Sequence, residues 1–294
     1  PDNFKIPFWL KPVKCYKGPA WYQKEIKIPG TWKNKRIILS LERCHWETTV
    51  FVDTRRVGTQ NSLSVPHQYD LTEFMVPGKH TLTIRIDNRL VIPVGINSHS
   101  VSDHTQGNWN GVVGDIFIEA RNLVYIADVQ IYPDISQKTA KLRIRLMNPE
   151  GVPFNGAFSI NAESFNTDKD QTISGTDEKI EMTENMKDFE MNFQLGEDVQ
   201  LWDEFTPAMY HLNVIISNEA GQEVDREIVD FGMREFKADK TRFEVNGRPV
   251  FLRGTLECCI FPLTGYPSMD EESWEFIFTR CREYGLNHMR FHSW

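Results

Sequence analysis

No run of the sequence approaches the roughly 20 consecutive apolar residues that a helical membrane span requires, so no membrane is expected as a partner. Basic residues are the minority charge: 33 Lys and Arg stand against 41 Asp and Glu, a formal net charge of −8. Phosphate binding needs clustered Lys and Arg that release counterions, so nucleic acid is not an expected partner either. Cysteine is sparse, with five residues at positions 15, 44, 258, 259 and 281. An odd number at scattered spacing builds no disulfide framework, and no C-x-x-C pattern marks a zinc or redox site. These cysteines read as buried free thiols rather than reactive groups. The chain opens at Pro1 with neither an initiator Met nor an apolar signal region, as expected of a processing or cloning boundary. Composition is not skewed towards disorder or collagen, with 40% hydrophobic and 25% charged residues, the mixture of an ordinary globular protein.

What the sequence does contain is short alternating segments. The 294 residues suffice for two domains of ordinary size with some chain to spare. Residues 21–28 alternate and close on Pro29-Gly30. Further strands are predicted at 36–41, 48–52, 80–86 and 115–119, with Arg56-Val57-Gly58 as the return of a hairpin. Strands of this length, punctuated by turn residues, predict a sandwich or jelly roll. A second series follows at 125–132, 141–146, 157–162, 189–195, 210–217 and 225–231. Roughly seven strands in about a hundred residues match an immunoglobulin-like sandwich. The polar segment 165–188 reads as a loop or an exposed edge hairpin.

After Phe231 the pattern changes. Residues 242–245, then Asn246-Gly247, then 249–256 predict a hairpin with a type I′ turn running into a buried strand. Residues 270–284 form the one convincing helical pattern, because Trp274, Ile277, Phe278 and Cys281 fall at i, i+3, i+4 and i+7 on one stripe. Ser268 with Glu271 resembles a capping box, and Gly285 stands where a C′ glycine belongs. Residues 288–292 read as another strand. Strand, helix and strand make a βαβ unit, the first step of an α/β layer or barrel, and one such unit cannot bury its own faces.

Several strings carry a family resemblance. Trp21-Tyr22 through Ile28-Pro29 with Trp32, the loop and strand 107–116, and Leu201-Trp202 with Pro207-Ala208-Met209-Tyr210 are three of them. Phe231-Gly232-Met233-Arg234 and the string 243–254 complete the set. In this order and at domain-sized spacing they resemble glycoside hydrolase family 2, the β-galactosidases, β-glucuronidases and β-mannosidases. The resemblance covers nearly the whole chain. It implies a mostly β protein: a jelly-roll sugar-binding sandwich at 1–122, an immunoglobulin-like sandwich at 123–232, and the truncated start of a TIM barrel at 233–294.

Members of that family hydrolyse β-linked sugars with retention through two glutamates, whose carboxyls lie about 5–5.5 Å apart. A complete barrel takes about 250 residues and roughly 60 are present here. No catalytic residue is therefore assigned, no metal or cofactor is expected, and the chain itself is expected to be inactive. The parent is expected to be a retaining β-glycosidase acting on carbohydrate, in the periplasm or secreted. The alternatives are a non-catalytic carbohydrate-binding module and a structural sandwich protein.

The resemblance also implies substrate-binding candidates. Alternation along 288–292 sets His288, Arg290 and His292 on one face and Met289 with Phe291 on the other. Arg290 matches an arginine of the family, and His292 lies one position from its histidine. A sugar contact and a buried structural ion pair weigh evenly for Arg290, whereas His292 leans to function. Glu257-Cys258-Cys259 replaces the Arg-His-Glu of β-galactosidases, which argues against galactosidase specificity. Glu257 is predicted either to touch substrate or to pair with Arg290. Asn108, Trp109 and Asn110 lie on a polar loop that in the family approaches the sugar, and Trp109 is either a stacking ring or core. A partial barrel leaves apolar faces uncovered, which predicts either a homodimer through this region or poor order after Gly265.

Overall fold

The computed structural model describes residues 16–95, 97–98, 101, 109–175, 177–258, 261 and 263–292. By their contacts the described residues divide into two units, one from 1–120 with 252–294 and the other from 121–251. Segment 233–294 is thus shared between them.

The first unit begins with nine strands, from which a two-sheet sandwich is built. They are β1 (Pro19–Ile28), β2 (Arg36–Leu41), β3 (Cys44–His45), β4 (Glu47–Val52), β5 (Arg55–Gln60), β6 (His67–Asp70), β7 (Gly78–Asp87), β8 (Gly111–Val112) and β9 (Ile116–Arg121). One sheet has the order β1-β7-β4-β5, the other β6-β2-β9, and β3 pairs with β8 apart from both. Period-two alternation turns Ile84, Ile86, Val50 and Val52 of the first sheet towards Leu39 and Leu41 of the second. Leu39, Leu41, Val50 and Leu71 are wholly buried. Burial of each such side chain contributes about 1.5–3 kcal/mol. The predicted strands appear in place. Not anticipated were β3, β6 and β8, which are too short or too polar to show a period.

The second unit holds β10 (Tyr125–Asp134), β11 (Thr139–Met147), β12 (Phe154–Phe165), β13 (Thr172–Ser174), β14 (Glu178–Met182), β15 (Met186–Gln194), β16 (Met209–Asn218) and β17 (Glu223–Phe231). The sheet β10-β11-β15 faces the sheet β13-β12-β16-β17, with β14 also paired to β12. Leu142, Ile144 and Leu146 from one sheet meet Phe158, Leu212, Val214 and Ile216 from the other in a single core. This is the expected immunoglobulin-like sandwich. Segment 165–188, read as a loop or edge hairpin, instead supplies two short strands that each pair with β12 and not with one another. Ile173, Ile180 and Met182 take them into the core. Tyr210 is buried with its hydroxyl satisfied: it accepts from Gln200 N at 2.8 Å and donates to Gln171 Oε1 at 2.8 Å.

A meander of β18 (Phe236–Asp239), β19 (Arg242–Val245) and β20 (Arg248–Val250) follows in the same unit. Its tight turn has φ of 52° at Asn246 and 72° at Gly247, the pair of positive angles that a type I′ turn needs. Asn246 is also held by its side chain, which accepts from Glu235 N and donates to the carbonyl of Trp202, both at 2.9 Å. The single buried strand predicted at 249–256 is corrected: Arg248–Val250 stays with the hairpin, and pairing resumes only at Gly254. Phe251 is 77% exposed between the two, so the run is apolar without being a core strand.

Back in the first unit, β21 (Gly254–Glu257), α1 (Glu271–Glu283) and β22 (His288–Phe291) form a parallel βαβ unit. The N-cap is Asp270, whose carboxylate accepts from Ser273 N at 2.8 Å. The predicted Ser268–Glu271 box is therefore corrected; Ser268 instead donates its hydroxyl to Asp270. That bond foremost holds the Asp270 carboxyl down at about 2. At the other end Gly285 has φ of 75°. Gly285 N bonds Arg282 O at 2.8 Å and Leu286 N bonds Cys281 O at 3.0 Å, the two bonds of a Schellman motif.

Candidate functional site

The register of the βαβ unit decides which way its polar side chains face. Gly254 pairs with His288, Thr255 with Met289, Leu256 with Arg290 and Glu257 with Phe291. Paired residues in a sheet share a face. Phe291 lies edge-on to Trp274 of α1, ring centroids 5.5 Å apart, and Trp274 also leans on Phe278 at 5.8 Å. The helix thus covers the Phe291 side, and Arg290 with His288 stands on the side without the helix. Arg290 is exposed and His292 half-buried, with His292 N donating to Glu257 O at 2.9 Å. A Cβ at Gly254 would come within 3.0 Å of the His288 ring and 3.2 Å of its carbonyl, so glycine is what lets β22 approach here.

Glu257 belongs to the other face. It pairs with Phe291, is half-buried, and its Oε2 is shielded from solvent. The structure therefore brings Arg290 and His292 to one strand end and separates the Glu257 side chain from Arg290 by the thickness of the sheet.

The second cluster of candidates lies beside β3 and β8. Cys44 pairs with Val112 and His45 with Gly111. Trp109 is 5% exposed, edge-on to His45 with centroids 5.3 Å apart, and the Arg43 guanidinium lies 5.8 Å over its ring. Its indole nitrogen is buried and has no hydrogen-bond partner among the described residues. Trp109 is thus packed inside and presents no open ring face, whereas Asn110 is exposed. Asn108 lies outside the described residues.

A cleft of about 760 Å³ within the first unit had no counterpart in the sequence reading; Glu42, Arg43, Trp274, Phe278, Arg282 and Phe291 are among its lining residues. The tryptophan and phenylalanines were legible only as a helix stripe and a strand alternation. Nothing in the order of residues announces that the turn carrying Glu42 and Arg43 lines one cleft with them. Among the described residues, no three His, Cys, Asp or Glu side chains converge as a metal site requires. Likewise no helix among them is long and apolar enough to cross a membrane.

Comparison with known proteins bears on both sandwiches. Residues 2–121 match the family model described as glycosyl hydrolases family 2, sugar binding domain, and residues 124–234 match that of glycosyl hydrolases family 2. The chain is 26% identical over 247 residues to a putative beta-glucuronidase of Formosa agariphila, covering 81% of this chain and 28% of that protein. It is 23% identical over 261 residues to a beta-glucuronidase of Paenibacillus borealis, covering 82% of this chain and 40% of that one. Among solved structures it superposes on a putative beta-galactosidase from Bacteroides fragilis with a TM-score of 0.78 at 17% identity, covering 97% of this chain and 43% of that one. At that identity the likeness shows the fold. The chain spans between 28% and 40% of the length of these two curated relatives.

Proposed function

Given that the chain belongs to glycosyl hydrolases family 2, we propose that it is the N-terminal part of a retaining β-glycosidase. In this reading residues 1–122 are a jelly-roll sugar-binding sandwich and β21-α1-β22 opens a (β/α)8 barrel. The supporting observation is the parallel pairing from Gly254–His288 to Glu257–Phe291, with α1 on the Phe291 side only. In such a barrel the side without helices is the lumen, and strand C-terminal ends carry the chemistry. Arg290 and His292 are then substrate contacts, giving hydrogen bonds to sugar hydroxyls. Asn110 reaches the same sugar from the segment before β8, and buried Trp109 seats that segment. Glu257, at the C-terminal end of β21 and on the helix side of the sheet, positions the strand end. A retaining mechanism needs an acid and a nucleophile about 5–5.5 Å apart, and both are supplied by later strands of the complete enzyme.

The substrate is a β-linked oligo- or polysaccharide, and a site of action in the periplasm or outside the cell belongs to the same reading. In the 294-residue chain, Leu256, Phe278 and Phe291 are between 41% and 47% exposed, and burying such surface favours a homodimer. The test compares this chain with the complete product of its gene on aryl β-glucuronides and β-galactosides, following the product's anomeric configuration by NMR. Retention by the complete product and no turnover by the 294-residue chain are expected. Turnover by the short chain, or a gene without further barrel strands, would sink the proposal.

A further inference from the structure

The cleft beside α1 follows the helix rather than a point on it. Glu271, Glu275, Phe278, Thr279 and Arg282 all line it. Residues three and four apart share one flank of a helix, so these five mark a groove along three turns of α1, about 17 Å at 1.5 Å per residue.

Its apolar lining is uncovered. Phe278 is 41% exposed, Phe291 47% and Met269 38%, and all three line the groove. A small-molecule site buries its ligand and aims a few fixed polar groups at it. Here the polar residues along the helix, Glu271, Glu275, Thr279 and Arg282, are exposed to water. An apolar strip bordered by solvated charge is the surface that receives one face of an amphipathic helix.

The strands say which helix belongs there. β22 contributes Phe291 to the groove, whereas no described residue of β21 lines it, so the groove opens on the β22 side of α1. Among the described strands β22 pairs with β21 alone, which leaves its other edge for a further parallel strand. A parallel strand added there returns by a crossover on the same face of the sheet as α1, because such connections keep one hand. The helix of that crossover packs over Phe291 beside α1, where the groove lies.

The sandwich lines the same groove through the turn with Glu42 and Arg43, and this turn is fixed. Glu42 N donates to Asp115 O at 2.9 Å, Gly114 N to Glu42 O at 3.2 Å, and Asp115 N to Glu42 Oε2 at 3.2 Å. A Cβ at Gly114 would fall 2.7 Å from the Glu42 side chain, so only glycine lets the two segments lie this close. A turn pinned at this many points is a standing wall, not a flap.

We propose that this groove seats the helix that follows β22 in the complete gene product, its apolar stripe on Phe278 and Phe291 and its flank against the Glu42–Arg43 turn. The chain spans 28% and 40% of the two curated relatives, which leaves length for such a helix. The inference rests on the barrel reading and adds a contact to it: the sandwich turn becomes a strut for the second barrel helix. Occupancy of the groove is read by labelling and hydrolysis by turnover. An active retaining enzyme with an open groove fails the inference alone, and a protected groove in a product without turnover fails the barrel enzyme alone.

The experiment is hydroxyl-radical footprinting, read by peptide mass spectrometry, of the complete gene product and of the 294-residue chain. The short chain is labelled at a dilution where sedimentation shows a monomer, and Tyr132 of the second sandwich, 52% exposed, calibrates the dose. Oxidation of Phe278, Phe291 and Met269 is expected to fall severalfold in the complete product. In a second measurement photoreactive benzoylphenylalanine takes the place of Phe278 in the complete product. The cross-linked peptide should come from the roughly 30 residues after Trp294, the span of one further strand–helix–strand step. Equal oxidation of Phe278 and Phe291 in the two proteins would overturn the proposal. So would a cross-link to a second copy or to a later repeat.

Discussion

Thr48 Oγ1 lies 2.6 Å from Nδ1 of His67 inside the first sandwich, and Nε2 of the same ring lies 2.8 Å from the carbonyl of Ser62. A carbonyl only accepts, so Nε2 carries the proton and Nδ1 accepts from the threonine hydroxyl. The Tyr69 hydroxyl, which donates to Thr48 O at 2.9 Å, closes the network. The imidazole is held neutral, and burial pushes its pKa below 6.5.

A pH dependence follows. The unfolded chain binds a proton at His67 below 6.5 that the folded chain refuses, so this contribution is whole above 6.5 and declines as pH falls below it. His80 works in the opposite sense, because its bond to Asp53 raises its pKa; its contribution is present below 6.5 and is lost as pH rises. Its partner Asp53 is half exposed to water, which screens the pair, so His67 is expected to dominate. Urea unfolding at about pH 7.5 and about pH 5.5 should show lower stability at the acid value, and His67→Gln should flatten the difference.

Cys44 is buried, and burial pushes its thiol up to about 12. The thiolate is the reactive form. Iodoacetamide applied to the folded chain should alkylate the half-buried Cys258 and Cys281 while leaving Cys44 intact until denaturant is added. Peptide mass spectrometry reads the order.

Leu212 is wholly buried in the second sandwich, whereas Ile228 on the neighbouring strand is 54% exposed. Leu212→Ala should cost about 2–5 kcal/mol, the transfer term plus a cavity. Ile228→Ala should stay within about 0.5 kcal/mol. Equal effects in urea titrations would contradict the packing described.

Gly285 ends α1 with φ of 75°. A side chain there meets the left-handed penalty, so Gly285→Ala should destabilise by about 1–2 kcal/mol. Loss of helical dichroism at lower denaturant concentration is the readout.

Arg290 is exposed, so replacing it should leave the melting temperature unchanged. In the complete gene product, Arg290→Ala should lower kcat/KM by more than about tenfold if its guanidinium meets the sugar, a loss of at least about 1.4 kcal/mol of transition-state binding. An unchanged kcat/KM would remove Arg290 from the site.

Much of the fold was legible because burial imprints a period. β11 and β16 alternate through their length, Asn246-Gly247 names its turn, and the Trp274–Phe278 stripe names its helix. Elements without a period escaped. β3 and β8 have two residues each, and β6 reads as polar, although His67 and Tyr69 point inward to Thr48. Ser268 resembled the cap, yet Asp270 adjoins the first helical residue and reaches Ser273 N directly. Of the candidate site, the Arg290 face could be read from alternation alone. The side of the sheet taken by Glu257 could not, because it depends on the register between two strands distant in sequence. Trp109 was ambiguous because its amide neighbours suggested water while its ring was packed on His45.

Residues 252–294 rejoin the unit that contains 1–120, and 121–251 form the other. A ribosome therefore releases the second unit as one continuous stretch, free to fold as it emerges. The core of the first sandwich closes within its own 120 residues, but the β21-α1-β22 segment grouped with it arrives only after translation has passed all of the second unit. Any arrest or cleavage near residue 251 would leave both sandwiches with their cores complete and the first without its βαβ neighbour.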